Sequence, residues 1–382
     1  TQKGLLRRLD ETLAALAAWR RDWFGELCVL AASGQVGPHA GLAGAGEEDN
    51  VQRDELLRGG GAAVGLAVVV PVERALSRVL PVRGAPSVAS ARAIADGLAS
   101  AYATASPADL LDPARAHLST VLRGLKGSLS PDQRAKLRAV GVDLACMCGW
   151  LAHLTGCTGD AHAYFALAVK LAKDSGVPEL LARAVGSSSG LHSPVLGGDP
   201  RTALELVDQA RPGAEAGPFR AWLSMGAAED HATVGREGNR DACLRAMDEA
   251  YRQLGSGEGE GFFSTQGFFA GWNEASWSGW RGWCYALLRD SNRALGELAG
   301  AGEPATGRRG AVLSVTAALA HAVDGDPEPA CAAAQSAVDE SERIGYVYGV
   351  EGVRFVRARF PRRFAGLSCV AELDERLARV TL

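Results

Sequence analysis

The side chains best suited to binding chemistry are concentrated between Phe262 and Tyr285, a stretch that holds nine of the 24 aromatic residues of the chain. Within it, Trp277, Trp280 and Trp283 recur at every third residue, so their rings drift slowly around a helix instead of forming one packing seam. We therefore expect at least one ring to reach a groove, as an aromatic wall for a planar ligand or an apolar peptide. The alternative is that the whole stretch packs in the core beneath a long loop.

A second group of chemically reactive side chains combines thiols with imidazoles, the residue types that bind zinc. Its members are Cys146, Cys148, His153, Cys157 and His162. Two residues separated by two positions on a helix point about 200° apart, so Cys146 and Cys148 do not converge on one metal ion. No C-x-x-C pair occurs elsewhere in the sequence, and we expect no metal and no cofactor. A redox-sensing role for the thiols stays open, with no support beyond their number.

Motifs of the common catalytic sites are missing from the sequence. There is no nucleophile elbow, no HExxH, no P-loop and no GxGxxG that opens a helix after a strand. The glycine-rich segment Gly257 to Gly261 reads GEGEG, and its acidic residues would repel a phosphate. The seven histidines show no spacing typical of a catalytic triad. We expect that this protein is not an enzyme.

Composition restricts the class of partner. The formal net charge of −4 gives the 382-residue chain no general attraction to nucleic acid, so DNA contact would need a local patch or a separate module. Eight cysteines scattered singly indicate a reducing compartment, and we expect the protein to be cytoplasmic. The apolar run from Gly59 to Pro71 has 13 residues, fewer than a helix needs to cross a bilayer, so no membrane anchor is expected.

The elements that would position these side chains are clearest between Val142 and Gly176. An apolar helix, a turn at Gly156 and a second amphipathic helix follow one another there. Gly149 allows the two helices to approach closely, and small and large side chains alternate at helical spacing along the second helix, at Ala161, Phe165 and Ala168. This is the pattern of a tetratricopeptide hairpin, which buries its apolar face only by stacking on neighbours.

Degenerate copies of this hairpin follow along the chain, with turns at positions 156, 198, 238, 289 and 325. These spacings exceed the ideal of about 34 residues, so the copies are irregular and their loops long. No persistent strand-type alternation is present, and the predicted fold is all-α, a right-handed superhelical solenoid of degenerate tetratricopeptide-like helical hairpins. The predicted segments are an N-terminal amphipathic helix (1–32), a flexible linker (33–50), a connecting helical segment (51–86) and a repeat domain with a C-terminal capping helix (87–382).

In a hairpin of this type the first helix lines the concave surface, which gives a set of candidate ligand-binding positions. Counted in register with Gly149 and Phe165, they mix aromatic, imidazole and thiol groups where a purely structural helix could be aliphatic. Each of them alone has the alternative reading of a satisfied, partly buried group. With the aromatic wall included, the candidates are Asp143, Cys146, Trp150, His153, Ser188, His192, Met225, Trp277, Trp280 and Trp283.

The chain resembles the tetratricopeptide sensor region of actinobacterial helix-turn-helix transcriptional regulators of the Xre-like class. The resemblance covers about residues 50 to 382. It is carried by NVQRDELLRGGGAAVGLAVVVPVERALSR (50–78), SPDQRAKLRAVGVDLACMCGWLAHLTG (130–156) and GDPRTALELVDQARPGA (198–214). Residues 1–49 depart from the family, because they offer one long helix and a glycine-rich loop and no recognition helix. Either a DNA-binding module preceding Thr1 has been removed, or the sensor acts through another protein.

The resemblance implies a regulatory protein whose groove binds a small-molecule or peptide effector, with transcription as the output. DNA would be contacted only through a module not evident in this chain. The leucine face of the N-terminal helix, at Leu5, Leu9 and Leu13, suits pairing of two subunits into a homodimer. The alternative function is a protein–protein adaptor or scaffold with no ligand and no direct DNA output.

Overall fold

The computed structural model describes residues 87–102, 105–234, 239–254, 261–264, 267–269, 274–301 and 306–380. These residues form an all-helical protein with fourteen α-helices, and no strand occurs among them. The all-α prediction is therefore confirmed. The segments predicted over 1–32, 33–50 and 51–86 lie outside the described residues.

The helices follow one another with short connections. The first seven are α1 (Val88–Ala101), α2 (Pro107–Leu125), α3 (Pro131–Leu154), α4 (Thr158–Ser175), α5 (Pro178–Ser188), α6 (Pro200–Ala210) and α7 (Pro218–Thr233). The others are α8 (Arg240–Gln253), α9 (Glu274–Leu287), α10 (Ser291–Gly300), α11 (Gly307–Asp324), α12 (Pro327–Ile344), α13 (Val347–Arg357) and α14 (Ser368–Arg379). Short 3₁₀ turns lie at Ser189–His192, Pro194–Leu196, Arg211–Gly213, Gly261–Phe263 and Arg362–Phe364.

Local sequence explains where the first three helices begin. Ser87, Ser106 and Ser130 each occupy an N-cap, where the side-chain oxygen accepts a hydrogen bond from a backbone N–H of the first turn. At Ser130 the bond is reciprocal, because the side chain of Gln133 accepts from the serine N–H and completes a capping box. Proline follows the second and third caps at a position that needs no amide hydrogen.

The hairpin of α3 and α4 has the close contact expected from its glycine. A β-carbon built on Gly149 would lie 2.8 Å from the Phe165 ring, so only glycine leaves room for that ring between the helices. Gly156 ends the first helix with φ of +77°, in the left-handed region that favours glycine. The stripe on α4 is buried, with Ala161 and Ala168 inaccessible to water and Phe165 2% exposed.

Each helix from α2 to α12 packs mainly on a neighbour in the chain, α14 packs on α12, and most odd-numbered helices also pack on each other. The contacts between odd-numbered helices join α1 to α3, α3 to α5, α7 to α9, α9 to α11 and α11 to α13. Helix α13 in addition touches α3 and packs on the 3₁₀ turn Pro194–Leu196. The C-terminal part of the chain therefore returns to its middle, where α13 meets α3 and the turn.

Three clusters of buried apolar side chains form the core. The first joins α1 to α7 with the aromatic turn at Gly261–Phe263, the second joins α9 to α14, and the third lies among α7, α8 and α9. Trp280 packs against all three clusters. A change in the position of this one ring would thus alter the packing of all three clusters.

The phenylalanines of the predicted aromatic stretch are core residues. Phe262, Phe263 and Phe269 are at most 2% exposed. The Phe262 ring meets Tyr102 edge-on at 5.2 Å between centroids, and the Phe263 ring lies 4.9 Å from Phe219. Close aromatic pairs of this kind stabilise a core beyond the area they bury. For these rings the core interpretation, and not the aromatic wall, describes the structure.

Helix α3 is long and apolar enough, by length and composition, to cross a membrane. Its most apolar window is 89% buried inside the protein, as in the central helix of a folded domain. Its hydrophobicity is thus accounted for by its place in the first core cluster.

Candidate functional site

Polar side chains from five elements meet where the chain closes on itself. We call this place the Glu229 recess. It is bounded by α3, the 3₁₀ turns between residues 189 and 196, α7, α9 and α13, and its residues are Trp150, His153, Ser193, Glu229, Trp280 and Tyr348. Four of them, Trp150, Glu229, Trp280 and Tyr348, keep part of their surface accessible to water. The recess is therefore a polar region with some access to solvent inside a largely apolar protein.

A chain of hydrogen bonds runs across the recess to the carboxyl group of Glu229. The hydroxyls of Tyr348 and Ser193 lie 3.1 Å apart, although the two residues are 155 positions apart in the chain. Ser193 Oγ donates to Glu229 Oε1 at 3.4 Å. Trp280 and Trp283 also donate their indole N–H groups to this carboxyl. Glu229 is thus held by three neutral donors from two elements, the 3₁₀ turns and α9.

The acids of the recess carry no compensating positive charge. Burial raises the pKa of Glu229, and its neutral donors oppose that rise. Burial raises the pKa of its neighbour Asp230 to about 9, assisted by the charges of Glu229 and Asp199. Within the described part of the chain, no arginine or lysine forms an ion pair with either Glu229 or Asp230. Two adjacent acids are therefore placed in the protein interior at a cost in electrostatic energy.

Beyond Tyr348 the recess is bordered by two polar groups whose hydrogen-bonding capacity is unused. His153 is 2% exposed, and neither ring nitrogen has a hydrogen-bond partner. Burial lowers its pKa to about 4, with a smaller effect from His162, so the ring is neutral at pH 7. The indole N–H of Trp150 is also buried without a partner, and the two rings lie 5.6 Å apart, with His153 5.8 Å from Tyr348. Such buried groups each cost about 1 to 3 kcal/mol unless a ligand or water satisfies them.

The structure brings together several of the residues predicted from the sequence. Trp150, His153, Trp280 and Trp283 all belong to or touch the recess, and His192 adjoins it, with its ring 6.3 Å from that of His162. Trp277 and Trp283 are buried in different core clusters, while Trp280 between them is partly exposed. The drift of the three tryptophans around their helix accounts for this division.

Two other predicted residues lie in a separate polar cluster. Asp143 Oδ2 accepts a hydrogen bond from Arg92 Nη1 at 2.6 Å, and its Oδ1 lies 3.7 Å from Arg183 Nη1. The backbone N–H of Phe262 also bonds to this carboxyl. Cys146 is inaccessible to water near the same group, and burial raises the pKa of its thiol. This cluster ties α1, α3, α5 and the aromatic turn together.

The remaining predicted residues are engaged in local structure. Ser188 donates its hydroxyl to the carbonyl of Val185 at 2.6 Å. Met225 is inaccessible to water and Trp277 is 2% exposed, both in the third core cluster. In this structure their side chains face protein, not the recess.

Sequence reasoning missed three residues of the recess, Ser193, Glu229 and Tyr348, and the neighbouring acid Asp230. The available signal was the pair of acids within the alanine-rich, otherwise apolar helix α7, PFRAWLSMGAAEDHAT. In a helix at the inside of the protein, a pair of acids is not exposed to water. Buried acids without a structural partner indicate a functional site.

The position of Trp150 depends on a glycine opposite its ring. A β-carbon on Gly190 would lie 2.3 Å from the edge of the Trp150 indole. We expect Gly190→Ala to displace the ring or the 3₁₀ turn and to lower the free energy of unfolding by about 1 to 3 kcal/mol, the usual effect of overpacking. Urea unfolding measures the loss, and near-ultraviolet circular dichroism reports the displaced indole.

Gly226→Ala is the matched control, because a β-carbon on Gly226 in the middle of α7 meets nothing within 4 Å. This variant is expected to gain about 0.5 to 1 kcal/mol from the higher helix propensity of alanine. Equal stability of the two variants would contradict the close approach of Trp150 to the turn.

No protein family, curated protein or solved structure matches this chain. Among the residues that the structure describes, no group of three or more His, Cys, Asp or Glu side chains is arranged to hold a metal ion.

Proposed function

We propose that this protein is an effector-sensing regulator that binds a small molecule in the Glu229 recess. In this proposal its hairpins stack as a right-handed tetratricopeptide-like superhelix with the odd-numbered helices on the inner side. The packing of α1 on α3, α7 on α9 and α11 on α13 supports that arrangement, since stacked hairpins contact their neighbours through equivalent helices.

The observation that carries the proposal is the unused hydrogen-bonding capacity around the recess. His153 and the Trp150 indole are buried without partners beside two acids that lack counter-ions. A scaffold protein gains nothing from such groups, because apolar residues of the same size would make the interior more stable. A binding site gains from them, because the ligand supplies the missing partners.

Signal transmission follows from the position of the recess at the closure of the chain. Tyr348 on α13 and His153 on α3 contact each other across it, and Glu229 on α7 is bonded to Trp280 on α9. An effector that bridges these helices stabilises one relative arrangement of them and shifts the population toward it. We propose that the output is transcriptional, exerted in the cytoplasm through the N-terminal segment 1–32, a dimer partner or a separate DNA-binding module.

Tryptophan emission tests this function directly. The low-molecular-weight fraction of an extract from the host is expected to change the emission of the purified protein, because Trp150, Trp280 and Trp283 surround the recess. At about 100 times the Kd, a bound effector raises the free energy of unfolding by about 2.7 kcal/mol, which thermal unfolding detects.

The control is Trp280→Phe, which keeps an aromatic ring but removes the indole N–H that Glu229 accepts. This variant should lose most of the emission change while it remains folded by far-ultraviolet circular dichroism. If saturating extract changes neither emission nor melting temperature, and one dedicated protein partner is captured instead, the adaptor function replaces the sensor.

A further inference from the structure

We propose that the effector is an organic ammonium ion, held in the recess by the Glu229 carboxylate and the aromatic rings beside it. This inference rests on the proposed function and names the chemical class of its ligand. It depends on three features of the recess: its charge, its hydrogen-bonding groups and its aromatic walls.

The unpaired acids of the recess favour a cation, because an ammonium group beside them lowers their pKa and stabilises the carboxylate form. Glu229 and Asp230 adjoin each other, and their described surroundings contribute hydroxyls, indoles and further carboxyls instead of a basic side chain. Elsewhere in the same protein, buried acids are paired, as Asp143 is with Arg92 and Arg183. The acids of the recess thus lack the positive partner that the rest of the fold provides, and a ligand ammonium group supplies it.

The hydrogen-bonding groups favour an ammonium that carries N–H donors. The carboxyl oxygens of Glu229 and the hydroxyls of Ser193 and Tyr348 present acceptors close together. The neutral His153 ring, buried without a partner beside Tyr348, adds an unused acceptor nitrogen at the end of this series. A primary ammonium has three donors to distribute among them.

The walls of the recess are aromatic. Trp280 and Tyr348 retain accessible surface, and Trp150 lies within ring contact of His153. Aromatic faces attract cations and also bury the apolar body of an organic amine. An anionic effector would face two acids without a basic group. A bare metal ion would find no set of three suitable ligand side chains among the described residues.

The experiment compares three probes of nearly equal shape: 3-phenylpropylamine, 3-phenyl-1-propanol and 3-phenylpropionate. Binding to the full chain is measured at pH 7 by isothermal titration calorimetry and tryptophan emission. We expect the amine to bind at least about tenfold more tightly than the alcohol, the difference that about 1.4 kcal/mol produces, and the carboxylate not to bind.

Glu229→Gln is expected to weaken binding of the amine by about tenfold or more and to leave binding of the alcohol unchanged, because only the charged interaction is lost. Glu205→Gln, on the exposed side of α6, is the matched control and should change neither. Melting temperatures of both variants establish that they are folded. If Glu229→Gln does not fold, the ratio of the amine affinity to the alcohol affinity, measured on the unmodified chain, tests the ammonium assignment.

Equal affinity for amine and alcohol, or absence of amine binding at saturating concentration, overturns the ammonium assignment. The proposed sensor function survives that result if a host extract still changes the emission in a Trp280-dependent way. The sensor function fails as well only if the extract has no effect on the emission. Failure of the ammonium assignment and failure of the sensor function are therefore distinguishable.

Discussion

Replacement of Asp143 by alanine is expected to lower the free energy of unfolding by about 3 to 5 kcal/mol, the usual effect of removing one partner from a buried ion pair. The Asp143 side chain is 3% exposed and lies between Arg92 and Arg183, and the Arg183 side chain is only 7% exposed. The alanine variant removes this carboxylate from both guanidinium groups, although Arg183 keeps its contact with Glu179 and Arg92 its contact with Asp96. It also removes the acceptor for the backbone N–H of Phe262, which anchors the aromatic turn. Urea unfolding followed by far-ultraviolet circular dichroism measures the loss.

Asp132→Ala is the control for that measurement, because Asp132 lies on the same helix and pairs with Lys136 at 2.9 Å. Both side chains of this pair are more than half exposed, so the variant should lose less than about 1 kcal/mol. If the Asp143 variant loses no more than the Asp132 variant, Asp143 does not connect α1, α3 and α5. In that case its predicted role as a ligand contact would become the better interpretation.

Local signals in the sequence were sufficient to predict the all-α class and the hairpin of α3 and α4. The turn predicted at Gly156 follows the observed end of α3 at Leu154, and the observed starts of α2 and α3 carry the serine-proline pairs that are typical of helix starts. Gly149 was predicted to allow a close approach, and Phe165 fills the space that a β-carbon would occupy. These features depend on a few neighbouring residues, so a single sequence contains them.

The recess was only partly predictable because its members come from distant parts of the chain. Helical spacing indicated that Trp277, Trp280 and Trp283 would face different directions, and in the structure Trp280 alone of the three is partly exposed. Nothing in the spacing relates Ser193 to Tyr348, which meet only because α13 returns to the turn at Pro194–Leu196. An acidic pair on a helix is ordinarily solvated, so the burial of Glu229 and Asp230 also required the tertiary structure.

Asp230→Asn is expected to raise the free energy of unfolding at pH 8 by about 5 kcal/mol and to leave it nearly unchanged at pH 4, since pH 8 lies about four units above the ordinary pKa and each unit corresponds to about 1.4 kcal/mol. Asp230 is 5% exposed, and its pKa in the folded protein is about 9, above its ordinary value of 3.8. An acid whose pKa is raised on folding binds more protons in the folded state. Its contribution to stability is therefore favourable at low pH and is lost as the pH rises from about 4 to about 9. Asparagine reproduces the neutral form at every pH.

Measurement of unfolding by urea from pH 4 to pH 8 separates this effect from a general one. Asp208→Asn, at a position 77% exposed, is the control and should follow the unmodified protein within about 0.5 kcal/mol at each pH. The charged groups that act on Asp230 are the carboxyls of Glu229 and Asp199. Both raise its pKa further, so the expected direction of the pH dependence is set by burial and by these two acids together. A variant that loses stability at pH 8 would show that Asp230 is ionised and paired in the folded protein.

The same variant connects stability with ligand binding. If the recess accepts an ammonium ion, Asp230→Asn should bind 3-phenylpropylamine more weakly while it unfolds at a higher temperature than the unmodified chain, because the amide cannot become a carboxylate. Residues kept at the expense of stability mark sites where function requires them. Greater stability together with weaker amine binding would identify the unpaired acids as the binding groups. Greater stability with undiminished amine binding would assign the charge to Glu229 alone.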